Sequence, residues 1–332
     1  MSFFSNLFRN RRNTFGPSKA IIMKRRKLFQ SLFFLGATAI GGNTAKAAGM
    51  SKSPGKIRPG KPFIEAPDGT SLFYQDWGEG SPVVFVAPAW LNSGWWDYQT
   101  PYLIGQGLRC ITYDRRGHGR SEMPCHGYEF DTLAGDLDAL IRQLDLRGVT
   151  LVGHSMGCAE AVRYLSRHGA DRVARLVLIA TITPFILKTE DNPLGIERSE
   201  LEKARMNVRR DRPRVIADAA PGFFGAPKIH VSEEIMQWWD RTLDDQCPIS
   251  IFLELHRAFT ETDFRPDLPK ITVPTLLIHG DADTSSKIEL TSRRTVQLIR
   301  GSQLKVYEGA AHGLPVTHMD QLNADILAFM KT

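Results

Sequence analysis

Four short apolar runs constrain this chain most: Val-Val-Phe-Val at 83–86, Thr-Leu-Val-Gly at 150–153, Leu-Val-Leu-Ile-Ala-Thr at 176–181 and Thr-Leu-Leu-Ile-His at 275–279. None alternates apolar with polar. A strand with one wet face alternates, whereas a strand covered on both faces does not, so these runs predict the interior of a mostly parallel sheet. Further strands are expected at Ser71–Asp76, Arg109–Tyr113 and Leu304–Tyr307, with the run at 176–181 read as a strand over Val177–Thr181. Helical stripes lie between them. Leu133, Leu137, Leu140, Ile141 and Leu144 share one face of Thr132–Leu144, and Gly157–Arg167 and Asp320–Met330 have similar stripes. Strand–helix alternation of this kind predicts a doubly wound α/β sheet.

The alternation stops between Ile182 and about Leu268. That segment is charged and reads as helices over Glu197–Ala217, Glu233–Leu243 and Ile249–Thr260, with apolar bulk from Phe223, Phe224, Trp238, Trp239 and Phe252. It is expected to be a helical cap (182–268) inserted between two parts of the core (62–181 and 269–332).

Charge places the rest. Of the 42 Lys and Arg residues, thirteen fall in the first 61 positions, which contain no Asp or Glu; the remainder carries 29 basic residues against 36 acidic. The basic character belongs to the leader, so a nucleic-acid partner is not expected. Lys24-Arg25-Arg26-Lys27, an apolar run over Leu32–Ile40 and Ala45-Lys46-Ala47 predict an export signal over 1–47, followed by a linker over 48–61. The paired arginines resemble a twin-arginine signal, with Met23 a possible start. The expected partner is that export machinery and the expected site periplasmic or secreted, with cytoplasmic as the alternative. The apolar run is too short for a stable membrane anchor. No C-x-x-C spacing occurs, so no metal or cofactor is expected.

Gly153-His154-Ser155-Met156-Gly157 joins a predicted strand to a predicted helix. This is the context of a nucleophile elbow, in which a sharp turn lifts the serine hydroxyl above the sheet and glycines avoid collisions with neighbouring backbone. The hydroxyl needs a base. His312 follows the last predicted strand, a position that His118, His154 and His279 lack. The base needs an acid to fix its tautomer. Asp281 and Asp283 both follow the strand at 275–279; Asp283 is the expected acid and Asp281 the expected partner of the turn. Oxyanion donors are expected at the backbone N–H groups of Met156 and Trp90, and Leu91, Ile182 and Phe185 are expected around the substrate pocket.

The segments Asp114-Arg115-Arg116-Gly117-His118-Gly119-Arg120-Ser121, GHSMG, Glu261-Thr262-Asp263-Phe264-Arg265, HGDAD and Ala311-His312-Gly313 resemble the cofactor-free haloperoxidase/aryl esterase family of α/β-hydrolases, from about Pro62 to the C-terminus. The resemblance implies hydrolysis of small or aryl carboxylic esters through an acyl-serine on Ser155, Asp283 and His312. It also implies a side activity in which hydrogen peroxide replaces water and the peracid oxidises halide. Three positions depart from the family. Pro88-Ala89 replaces His-Gly before Trp90, Leu91 stands where perhydrolytic relatives often have Pro, and Thr284-Ser285-Ser286-Lys287 lacks the usual Pro after the acid. The first bears on the geometry of the oxyanion loop and the third on pocket shape; Leu91 favours ester hydrolysis over peracid formation as the main role, with cofactor-free chloroperoxidase chemistry the alternative. A non-catalytic receptor on the same fold is disfavoured by the complete triad, and the aspartate-nucleophile relatives are disfavoured by Ser155.

Overall fold

The computed structural model describes residues 62–332, so the expected export signal (1–47) and linker (48–61) lie outside the described residues. Eight strands form one sheet: β1 (Phe63–Glu65), β2 (Ser71–Trp77), β3 (Pro82–Val86), β4 (Arg109–Tyr113), β5 (Val149–His154), β6 (Val173–Ile179), β7 (Thr275–Gly280) and β8 (Gln303–Tyr307). Their spatial order is β1-β2-β4-β3-β5-β6-β7-β8. The β1–β2 and β2–β4 pairs are antiparallel and every other pair is parallel. The unalternating runs are the central strands: every residue of β5 and β7 is buried, as sheet faces covered on both sides require.

The helices are α1 (Thr100–Gly105), α2 (Phe130–Gln143), α3 (Met156–His168), α4 (Arg198–Phe224), α5 (Glu233–Asp245), α6 (Ile249–Glu261), α7 (Ser292–Leu298), α8 (Leu314–Thr317) and α9 (Met319–Met330). Helix α2 buries Leu133, Leu137, Leu140 and Ile141, the stripe read from the sequence. Helices α4, α5 and α6 fill the interruption between β6 and β7, where no named strand occurs.

Two elements differ from expectation by more than three residues at one end: β6, which starts at Val173, and α4, which ends at Phe224. The run at 176–181 leaves the sheet after Ile179, because Ala180 takes a positive φ of 45°. The helix expected over 197–217 continues to Phe224 but breaks at Asp211 (φ −159°, ψ 75°), two residues before Pro213. Proline lacks an N–H and collides with the preceding turn, so a continuous helix cannot pass it undisturbed. All four cysteines are free thiols; Cys110, Cys158 and Cys247 are buried and Cys125 is exposed, so Cys125 and Cys247 are not paired.

Candidate functional site

The end of β5 delivers Ser155 into a sharp turn. Ser155 has φ 54° and ψ −117°, a conformation that L residues rarely adopt, and it immediately precedes α3. The turn is possible because the helix start lies against the end of β3. A Cβ on Gly157 would stand 2.3 Å from the Val86 carbonyl oxygen, so only glycine allows this approach. Met156 is the first residue of α3, and an N–H in the first helical turn has no acceptor within its own helix.

His312 reaches the same place from the loop after β8. Its Nδ1–H donates to Asp283 Oδ2 at 2.6 Å, and both side chains are buried. Burial alone pushes the Asp283 carboxyl up, but His312 and His279 beside it outweigh that and hold it well below the usual carboxylate range. The backbone N–H groups of Ser285 and Ser286 donate to Oδ1 at 2.7 and 2.9 Å. Gly280 lets the two loops close on one another: a Cβ there would lie 2.1 Å from the Ala310 carbonyl oxygen. Asp281 is exposed and accepts the Gly309 N–H at 2.6 Å, a bond that ties the turn rather than the imidazole. With Nδ1 of His312 committed to Asp283, Nε2 is the ring nitrogen left to exchange a proton.

His154, which lacks the position of a base, supports the loop that carries His312. Its Nε2–H donates to the His312 carbonyl at 3.0 Å and its ring stacks on Trp95 at 5.4 Å. Burial, then the neighbouring His312, drive its affinity for a proton far down, so the ring is neutral.

Ser155 and His312 border one cavity of about 130 Å³. Trp90, Leu91, Met156 and Ile182 also line it, together with Ile216, Phe223 and Trp239 from the cap helices. Phe185 does not. It packs with Leu187 and Leu201 in a separate small cluster and borders a neighbouring hollow of about 360 Å³. Its ring lies 5.1 Å from the Arg265 guanidinium, a cation–π contact.

The loop after β3 carries Trp90 in a left-handed conformation, φ 65°. The indole N–H donates to the Phe252 carbonyl at 3.2 Å, and the indole stacks on the Phe252 ring at 3.7 Å and 6°. The start of this loop, at Ala87 and Pro88, is gripped by Arg115. Arg115 donates from Nη2 to the Ala87 carbonyl at 2.8 Å and from Nη1 to the Pro88 carbonyl at 3.3 Å, while its Nε donates to Glu160 at 2.7 Å. Glu160 belongs to α3 and also accepts the Tyr113 hydroxyl. The Arg-rich motif at 114–121 is therefore scaffolding. Arg116 binds the buried Asp136 at 2.6 Å, and Asp114 accepts the Ser93 N–H at 2.9 Å. Arg120 pairs within the motif, with Asp114, but Glu160 and Asp136, the carboxylates that Arg115 and Arg116 bind, come from distant helices and carry no shared spacing with it.

A parallel sheet of this order, with a strained serine after β5, a carboxylate after β7 and a histidine after β8, defines an α/β-hydrolase. The model of the alpha/beta hydrolase family matches residues 83–325. A non-heme haloperoxidase of Rhodococcus erythropolis is 41% identical over 275 residues, spanning 82% of this chain and 100% of that protein. A bifunctional esterase/perhydrolase of Acinetobacter calcoaceticus is 34% identical, spanning 81% and 99%. The crystal structure of a bromoperoxidase from Bacillus anthracis superposes with a TM-score of 0.77 at 37% identity, covering 81% of this chain and 99% of that one. The chain belongs to the alpha/beta hydrolase family, among its cofactor-free haloperoxidase and esterase members, and is an enzyme of the hydrolase class.

Proposed function

We propose that the protein is a serine carboxylesterase acting on small or aryl esters. Ser155 Oγ attacks the ester carbonyl carbon as His312 Nε2 takes its proton. The developing oxyanion is met by the backbone N–H groups of Trp90 and Met156. Collapse expels the alcohol, which receives the proton from His312, and leaves an acyl-serine. Water, deprotonated by His312, attacks that ester; the carboxylic acid departs and Ser155 recovers its proton. Asp283 stays ionised throughout, stabilising the imidazolium rather than taking its proton.

The observation that carries this reading is the cavity itself. A serine held in strained backbone and a histidine locked by a buried carboxylate border one largely apolar cavity. Its volume suits a short acyl chain or a ring, and its few polar groups converge on one wall. Purified, folded protein should hydrolyse p-nitrophenyl acetate and react covalently with a fluorophosphonate at Ser155, and Ser155→Ala should lose both. An unreactive folded protein would end the proposal.

A second reading is favoured by the relatives named as haloperoxidase and perhydrolase. Hydrogen peroxide would attack the acyl-serine in place of water, releasing a peracid that oxidises halide in solution. Acetate- and peroxide-dependent bromination of monochlorodimedone that exceeds ester hydrolysis in turnover would make it the principal activity.

A further inference from the structure

A second histidine meets the carboxylate that orients His312. His279, the penultimate residue of β7, is fully buried, and its Nε2 stands 3.1 Å from Asp283 Oδ2 and 2.7 Å from the Ser286 carbonyl oxygen. A carbonyl can only accept, so Nε2 carries the proton and its N–H is shared between two acceptors. Nδ1 lies 2.7 Å from the hydroxyl of Ser292, the first residue of α7, and accepts from it when the ring is neutral. The Ser286 hydroxyl lies 3.1 Å from Asp283 Oδ2 and 3.2 Å from His312 Nδ1. The oxygen that holds His312 is thus surrounded by two imidazoles and a hydroxyl.

We infer that His279 is a positioning residue for the hydrolysis proposed above: its Nε2–H fixes Asp283 Oδ2 in line with His312 Nδ1 while His312 gains and returns a proton. The inference rests on the reading of His312 as the base. The titratable groups that face this pair are Asp283 on the same turn, His312 from the loop after β8 and His154 from the end of β5. From helix α7 the Ser292 hydroxyl meets His279 Nδ1, with Thr291 just before it. A leucine at 279 would fill the space but supply no donor, and Oδ2 would then be free to pivot about the side chain's last torsion.

The sign of the effect follows from charge. Each donor on Oδ2 draws off some of its negative charge and so weakens its hold on the His312 N–H. Removing the His279 donor makes Asp283 a stronger acceptor and His312 a stronger base, so the acid limb of kcat/KM moves to higher pH.

His279→Met keeps similar length without a donor, and His279→Gln restores one. The Met variant should lose roughly tenfold or more in kcat with KM little changed, since an orienting hydrogen bond acts on the proton transfer. Its acid limb should rise, and the Gln variant should recover most of the loss. An unshifted acid limb in the Met variant, or a loss that Gln does not recover, overturns the inference. Nitrogen-15 shifts of His279 in the unaltered protein should report the Nε2–H tautomer, and the Nδ1–H tautomer would overturn it whether or not the Met variant folds. Absence of fluorophosphonate labelling at Ser155 marks failure of the hydrolase reading. Normal labelling with an unshifted His279→Met profile marks failure of this inference alone.

Discussion

At the scale of single residues, the site divides into parts a sequence can announce and parts it cannot. Ser155 was legible because an elbow needs glycine in register with a strand end and a helix start. His312 was legible because chain order assigns the base to the loop after the last strand. The preference for Asp283 over Asp281 agrees with the geometry: Asp281 accepts a turn N–H at 2.6 Å, and Asp283 the imidazole N–H at 2.6 Å. Asp283→Asn should therefore lower kcat by roughly a thousandfold to ten-thousandfold, because an amide can present its NH2 to the imidazole and select the wrong tautomer. Asp281→Asn should stay within a few-fold of the unaltered enzyme. Equal losses in the two, measured on p-nitrophenyl acetate, would reverse the assignment. His279 was passed over because it lacked the position of a base. Its contact with Asp283 crosses a turn rather than a helix face, so no periodicity marks it.

At the scale of elements, the central strands were readable because burial on both faces leaves a compositional mark. The three-residue β1 and the seven-residue α7 left none, being too short for a period to repeat. Helix α4 was foreseen as one helix, yet Asp211 and Pro213 divide it. Phe185 was expected near the serine because Ile182 is; three residues suffice for the chain to turn into another cluster. The most consequential contact between elements is the Trp90–Phe252 stack, which joins the loop after β3 to cap helix α6. Phe252→Leu keeps apolar volume but removes the aromatic face, which should cost about 1 kcal/mol of stability. With Trp90 less firmly held, kcat should fall by roughly three- to thirtyfold, since an oxyanion donor acts only when aligned. A variant that loses the expected stability while keeping full kcat would show that the stack serves packing alone.

At the scale of the whole molecule, the fold stores neutral histidines. His118 and His256 are fully buried and pushed down to about 3, chiefly by burial and then by neighbouring arginines. His154 shifts in the same direction. The unfolded chain protonates these residues near their ordinary value of 6.5 while the folded protein does not, so the unfolded state binds more protons as pH falls below that value. Asp136, pushed up to about 6 by burial despite Arg116, works in the opposite sense over part of the range. Asp97 and Asp240, also raised by burial, act with Asp136, whereas His318, lowered by burial, and the depressed Asp68 and Asp283 act with the three histidines, which leaves a net loss of stability from about pH 6.5 downward. Melting temperature should decline steadily between pH 7 and pH 4, and a flat or rising profile in calorimetry would refute this balance. None of it was legible in the sequence, where nine histidines look alike.

Arg115 has a consequence of another kind. It grips the loop after β3 through the Ala87 and Pro88 carbonyls, which every amino acid supplies, and anchors itself to Glu160 on the helix that follows the nucleophile. The frame is thus indifferent to which side chains the loop carries. Exchanging the side chains at Ala87 or Pro88 leaves both carbonyls in place for the same arginine to hold. What borders the cavity can therefore change without removing the contacts that hold the loop.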